Sequence, residues 1–159
     1  PCHFLNHMLE QISRHALIGL QIKATGDFMV DDHHLVEDIA ICLGQAIDRA
    51  LGDKRGIERY GFTTPMDESL AQVAIDMSGR GECVFKGEFS RERVNDLSTE
   101  MIPHFFKTLA QNMKASLHLN VTGENNHHMI EACFKAFPRA LLKAIAVCGN
   151  EVSSTKGCL

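Results

Sequence analysis

Two stretches of this 159-residue chain carry the same HHxxE signature: "VDDHHLVEDIA", beginning at Val30, and "ENNHHMIEACF", beginning at Glu124. Each belongs to a longer order of patterns that also occurs twice. From Phe4 to Leu51 a helix-like "FLNHMLEQISRH" precedes an alternating "ALIGLQIKATG" and a long amphipathic "DDHHLVEDIAICLGQAIDRAL". From Met101 to Cys148 the order returns as "MIPHFFKTLAQNM", "KASLHLNVTG" and "ENNHHMIEACFKAFPRALLKAIAVC". The landmarks align: His7 with His104, Thr25-Gly26 with Thr122-Gly123, His33-His34 with His127-His128, and Glu37 with Glu131. A duplicated unit is the simplest account. It restricts the fold to an α+β chain of two pseudo-equivalent halves, residues 1–56 and 57–159, sharing one core in a single domain.

Between the copies lie "ESLAQVAIDMSGR" and "GECVFKGEF", which alternate like strands on either side of a Ser-Gly-Arg-Gly turn and read as a hairpin opening the second half. The first half has no such hairpin, since only three residues precede Phe4; on this reading the chain starts inside its first unit. Pro138 falls within the last helical segment and is expected to kink or divide it. Ile39, Leu43, Ile47 and Leu51, spaced by four, form one apolar helix face and should be buried.

With 45% hydrophobic and 23% charged residues the chain has the make-up of a globular domain. A net charge of −4 gives no reason to expect nucleic acid or an anionic membrane as partner, and leaves a small molecule as the expected one. No run approaches the roughly 20 apolar residues of a membrane span. The six cysteines show no CxxC spacing, and Cys42 and Cys133 sit in apolar helical stretches as small packed thiols. Reduced cysteines point to the cytoplasm.

On a helix, residues three or four apart share a face, so His33 or His34 can converge with Glu37, and His127 or His128 with Glu131. Adjacent histidines point about 100° apart and cannot readily serve one ion. A single HHxxE reads equally well as a helix start with surface histidines. Its repetition argues for ligands, because six of the nine histidines occupy equivalent places in both halves. Six imidazoles and two carboxylates divide evenly into three His and one Glu for each of two ions. Such an ion, if six-coordinate, keeps two positions open, as a catalytic site requires. Imidazole-rich ligation suits zinc, iron or nickel as well as manganese. If the two motifs lie far apart in one chain, each site must be completed by another subunit.

The segments "FLNHML", "DDHHLVEDIAICLGQAI", "RGIERYG", "PMDESL", "DMSGR", "TGENNHHMIEACFKAF" and "SSTKG" together resemble the imidazoleglycerol-phosphate dehydratase family, nearly end to end. The resemblance implies two similar halves with left-handed βαβ crossovers, assembly into a 24-subunit homo-oligomer, and two Mn(2+) ions per subunit held between subunits. The implied metal ligands are His7, His33, His34, Glu37, His104, His127, His128 and Glu131. The implied substrate contacts are Arg59, Arg80, Lys135, Ser154 and Lys156, a set whose cationic and hydroxyl groups suit a phosphate.

The implied reaction removes water from imidazoleglycerol phosphate to give imidazole acetol phosphate, a step of histidine biosynthesis. Metal ions would supply charge stabilisation for an imidazolate-like substrate and a Lewis acid for its hydroxyl. The chain departs from the family pattern in having Asn6 where aspartate is usual and His3 where a small residue is usual. It also lacks the upstream hairpin, whose glutamate is the family's acid–base candidate, so no catalytic acid or base is assigned. Some family members are fused behind a histidinol-phosphate phosphatase domain. Two other readings share the ligands: a two-metal hydrolase, and an assembly module whose ions join subunits without chemistry.

Overall fold

A computed structural model describes residues 2–26, 30–62 and 65–159. Four helices carry the histidine motifs and their equivalents: α1 (His3–Ala16), α2 (His33–Leu51), α3 (Met101–Met113) and α4 (Asn126–Ala144). The strands are β1 (Tyr60–Phe62), β2 (Pro65–Met66), β3 (Ser69–Asp76), β4 (Glu82–Lys86), β5 (Arg93–Val94), β6 (Leu97–Ser98) and β7 (Ser116–Thr122).

The main sheet runs β1-β3-β7-β4, with β2 also on β3. Strand β7 is antiparallel to β3 and parallel to β4. The period-two pattern of "SLHLNVT" puts Leu117, Leu119 and Val121 on one face, and the register sets them opposite Ile75, Val73 and Ala71, all buried. Helices α3 and α4 cover that face. The other face presents Gln72, His118 and Asn120 outward. The expected hairpin of β3 with β4 does not form. Strand β7 lies between them, and β4 reaches it through α3, because a parallel neighbour needs a helical crossover where an antiparallel one needs only a turn.

The segment Ala16–Gly26 also departs from expectation. Ala16 ends α1, Leu17 adopts a left-handed conformation (φ 56°), and residues 18–26 form no strand. Alternation alone does not make a strand: it needs a neighbour's N–H and C=O groups, and among the described residues none pairs with this segment.

The helices pack as two cross-half pairs, α1 on α4 and α2 on α3. Exchanging equivalent helices, α1 for α3 and α2 for α4, turns one pair into the other. Gly44 permits the close approach of the second pair, since a Cβ there would lie 2.8 Å from the Leu109 carbonyl oxygen and from the Asn112 Cβ. Four phenylalanines fill the space between α3 and α4, with Phe106 4.9 Å from Phe134 and 5.7 Å from Phe137 between ring centroids.

Ile39, Leu43 and Ile47 are buried as the spacing requires, while Leu51 at the helix end is half-buried. Pro138 does not divide α4, which runs unbroken to Ala144; the ring packs into the core and the helix forgoes one hydrogen bond. All six cysteines are free. Cys133 is buried as expected, but Cys42 is exposed because it lies off the α2 face that meets α3.

Candidate metal centre

The first HHxxE motif opens α2. Asp31 accepts the His33 N–H at 2.9 Å, and the buried Asp32 accepts from the Ser98 N–H at 2.6 Å and the Ser98 hydroxyl at 3.0 Å. The second motif opens α4 in the same way. Asn125 accepts the His127 N–H at 2.9 Å, while the buried Asn126 accepts the Arg91 N–H at 3.0 Å and donates to the Ser90 hydroxyl at 3.1 Å. Asp96 accepts the N–H groups of His3 and Phe4 at the start of α1. Residues 90–98 thus form one strap that fixes the N-termini of α1, α2 and α4.

From these starts the ligand side chains converge in pairs of helices. His33, Glu37 and His104 offer ligand atoms within 4.8 Å of one another. His104 Nε2 lies 3.2 Å from Glu37 Oε1, and the rings of His33 and His104 are 4.6 Å apart. The pseudo-equivalent set is His127, Glu131 and His7. His127 Nε2 lies 3.4 Å from Glu131 Oε2, the His127 ring packs edge-on against Phe4 at 5.0 Å, and His7 faces Glu10 at 3.9 Å. This second set is looser than the first. Glu131 is buried, which by itself raises its pKa, but the Lys135 ammonium at 2.8 Å outweighs burial and holds the carboxyl below its ordinary value, with His127 and His7 adding to the effect.

His34 and His128 diverge from these sets. The His33 and His34 rings stand 6.0 Å apart at 79°, and those of His127 and His128 6.1 Å apart at 87°, as adjacent helical positions dictate. His128 turns instead to Glu68, with its Nδ1 2.8 Å from Oε2. This contact, first among its causes, raises the His128 pKa and depresses that of Glu68 to about 2. The α2–α3 pair therefore brings two imidazoles and one carboxylate together, whereas on the α1–α4 pair His127 meets Glu131 and His7 faces Glu10; His34 and His128 lie off both sets. Nitrogen and oxygen donors of this kind fit a divalent ion of borderline hardness.

Arg59, Arg80, Ser154 and Lys156 line a single cleft of about 550 Å³. Arg59 is already engaged, donating to Asp76 at 2.6 and 3.0 Å and to the Ser153 carbonyl at 2.7 Å. Arg80 and Lys156 are the cations that the described residues leave for an anion there. Lys135 is not part of that cleft; it joins Glu131 and the Met66 sulfur. None of the eight histidine and glutamate ligand candidates lines it either.

Sequence reasoning missed Glu68 and Asp96; it places Asp31 and Asp32 at the helix start, favoured by the helix dipole, without their hydrogen-bond partners. The caps had a local signal, an Asp or Asn two residues before each histidine pair, whereas Glu68 and Asp96 act across 60 and 92 residues, beyond any spacing rule.

A sequence model of the family described as imidazoleglycerol-phosphate dehydratase matches residues 1–141, a span that includes Arg59, Arg80, Lys135 and all eight ligand candidates but not Ser154 or Lys156. The chain is 57% identical over 159 residues to the histidine biosynthesis bifunctional protein HisB of Legionella pneumophila, covering all of this chain and 45% of that protein. It is 55% identical over 156 residues to the imidazoleglycerol-phosphate dehydratase of Chloroherpeton thalassium, covering 97% and 80%. Among solved structures, the dehydratase of Staphylococcus aureus superposes with a TM-score of 0.85 at 42% identity, covering 91% of this chain and 83% of that one. The dehydratase of Pyrococcus furiosus in complex with (S)-C348 superposes with a TM-score of 0.87 at 32% identity, covering 99% and 87%. The chain spans less than half the length of the bifunctional relative.

Proposed function

The chain belongs to the imidazoleglycerol-phosphate dehydratase family, and from that membership and the paired histidine clusters we propose that it eliminates water from imidazoleglycerol phosphate to form imidazole acetol phosphate, in histidine biosynthesis. The observation that carries this reading is the convergence of His33, Glu37 and His104 from two helices, with His127 and Glu131 paired at the equivalent positions of α4.

Two divalent ions per subunit, Mn(2+) being the expected metal, fit these sets. When bound they would supply positive charge beside the imidazole and a hydroxyl of the substrate. The divergence of His34 and His128 supports completion of each site by another copy of the chain, hence a homo-oligomer, with 24 subunits as its expected size. Arg80 and Lys156, with Ser154 and a structural Arg59, form the phosphate cleft. Since this cleft holds none of the ligand candidates, a complete site would combine the cleft of one subunit with the histidines of its neighbours. A phosphate cleft has no use in a pure assembly module. The cytoplasm is the proposed location, and no helix among the described residues is long and apolar enough to cross a membrane.

The test is a turnover assay on the Mn(2+)-loaded protein that follows imidazole acetol phosphate and inorganic phosphate in parallel. Formation of the ketone without phosphate release supports the dehydratase; phosphate release without the ketone would establish the two-metal hydrolase instead.

A further inference from the structure

Glu68 lies at the turn between β2 and β3, outside both HHxxE motifs, yet both of its carboxylate oxygens are engaged. Oε1 accepts from the Ser69 hydroxyl at 3.1 Å and from the Asn125 N–H at 3.2 Å, while Oε2 meets His128 Nδ1 at 2.8 Å. Asn125 is also the residue that caps α4 through the His127 N–H. One carboxylate therefore ties the β2–β3 turn to the start of the helix that carries the second histidine pair. An ionised carboxylate has no proton to give, so the hydrogen of this contact resides on Nδ1. In a neutral imidazole that leaves the lone pair on Nε2, pointing away from Glu68.

We propose that Glu68 is the positioning residue of the second histidine pair: it holds His128 in the Nδ1–H tautomer, fixes the ring's direction, and presents Nε2 as the ligand atom to a divalent ion. The inference rests on the reading of His128 as a metal ligand. Carboxylate–imidazole–metal relays of this form orient the ring and strengthen it as a donor, and loss of the outer carboxylate typically weakens metal binding 10–100-fold. Asp67 and Glu68 could be mistaken for ligands themselves, since both offer an oxygen within 4.8 Å of a His128 nitrogen. The three contacts already made by Glu68 argue for support over ligation.

The test titrates Mn(2+) into the metal-stripped full chain and its Glu68→Ala and Glu68→Gln variants, counting bound ions and their affinities calorimetrically, with sedimentation and metal-free thermal melts on the same samples. The expected result is two classes of site in the unaltered chain, with one class weakened 10–100-fold in Glu68→Ala and the other unchanged. Glu68→Gln should recover part of the loss, because its amide oxygen still accepts from Nδ1–H. Four results would overturn the proposal: unchanged affinities in Glu68→Ala; loss of one ion per chain that Glu68→Gln does not recover, which makes Glu68 a ligand; equal loss at both classes with a lower metal-free melting temperature, which makes its role structural; or no Mn(2+) binding by the unaltered chain, which removes the metal reading as well.

Discussion

Glu37 and His104 meet at 3.2 Å although 67 residues separate them, Glu37 one turn into α2 and His104 in the first turn of α3. The contact crosses the boundary between the two halves. On the other helix pair Glu131 of α4 feels the charge of His7 on α1 without a direct contact.

His104→Ala should weaken metal binding and assembly together, because the imidazole is shared between Glu37 and any ion seated there. Metal content and sedimentation of the variant check this. A normal particle with full metal content would separate His104 from the site.

Gly44→Ala would push a Cβ to within 2.8 Å of the Leu109 carbonyl oxygen. The α2–α3 pair must then part, at a cost of about 1–3 kcal/mol. Denaturant unfolding at a fixed metal concentration should show it, and metal affinity at the His33–Glu37–His104 set should fall with it.

Arg80→Ala and Arg59→Ala should act differently. Arg80 is available to an anion, so its loss should raise KM tenfold or more and reduce competition by inorganic phosphate, with little effect on stability. Arg59 holds Asp76 and the Ser153 carbonyl, so its loss should lower the melting temperature as well as weaken phosphate binding.

Acid should destabilise the fold through Asp48 and Asp96. Burial raises both, but the Lys114 ammonium at 2.7 Å, with Lys54, outweighs it at Asp48, and the N–H groups of Phe4 and His3 outweigh it at Asp96, so both sit below the ordinary 3.8. A depressed carboxyl contributes stability that is present above its unfolded pKa and is lost as pH falls through the folded one. Denaturation midpoints should therefore drop from about pH 4 downward, and Asp96→Asn should flatten that slope.

The helices and their histidines were legible because each rule needed only local spacing: HHxxE fixes a shared face, and "SLHLNVT" fixes an inward edge for β7. Strand pairing was not legible. The pairing of β3 with β4 looked natural from their turn, but which strand occupies the neighbouring position depends on where α3 packs, and α3 is placed by Phe105 and Phe106 against α4. Exposure of Cys42 likewise follows from which α2 face meets α3. The Arg59–Asp76 pair was hidden for the same reason, and it alters the expected clamp, because one of its cations turns out to be a structural member.

Metal dependence is the central claim and admits a direct measurement: bound metal per chain, set beside imidazole acetol phosphate formation, in protein stripped with chelator and then reloaded with Mn(2+) in steps. Activity that is absent in the stripped chain and rises with metal to two ions per chain is the predicted result. Full dehydratase activity after complete removal of metal would contradict it.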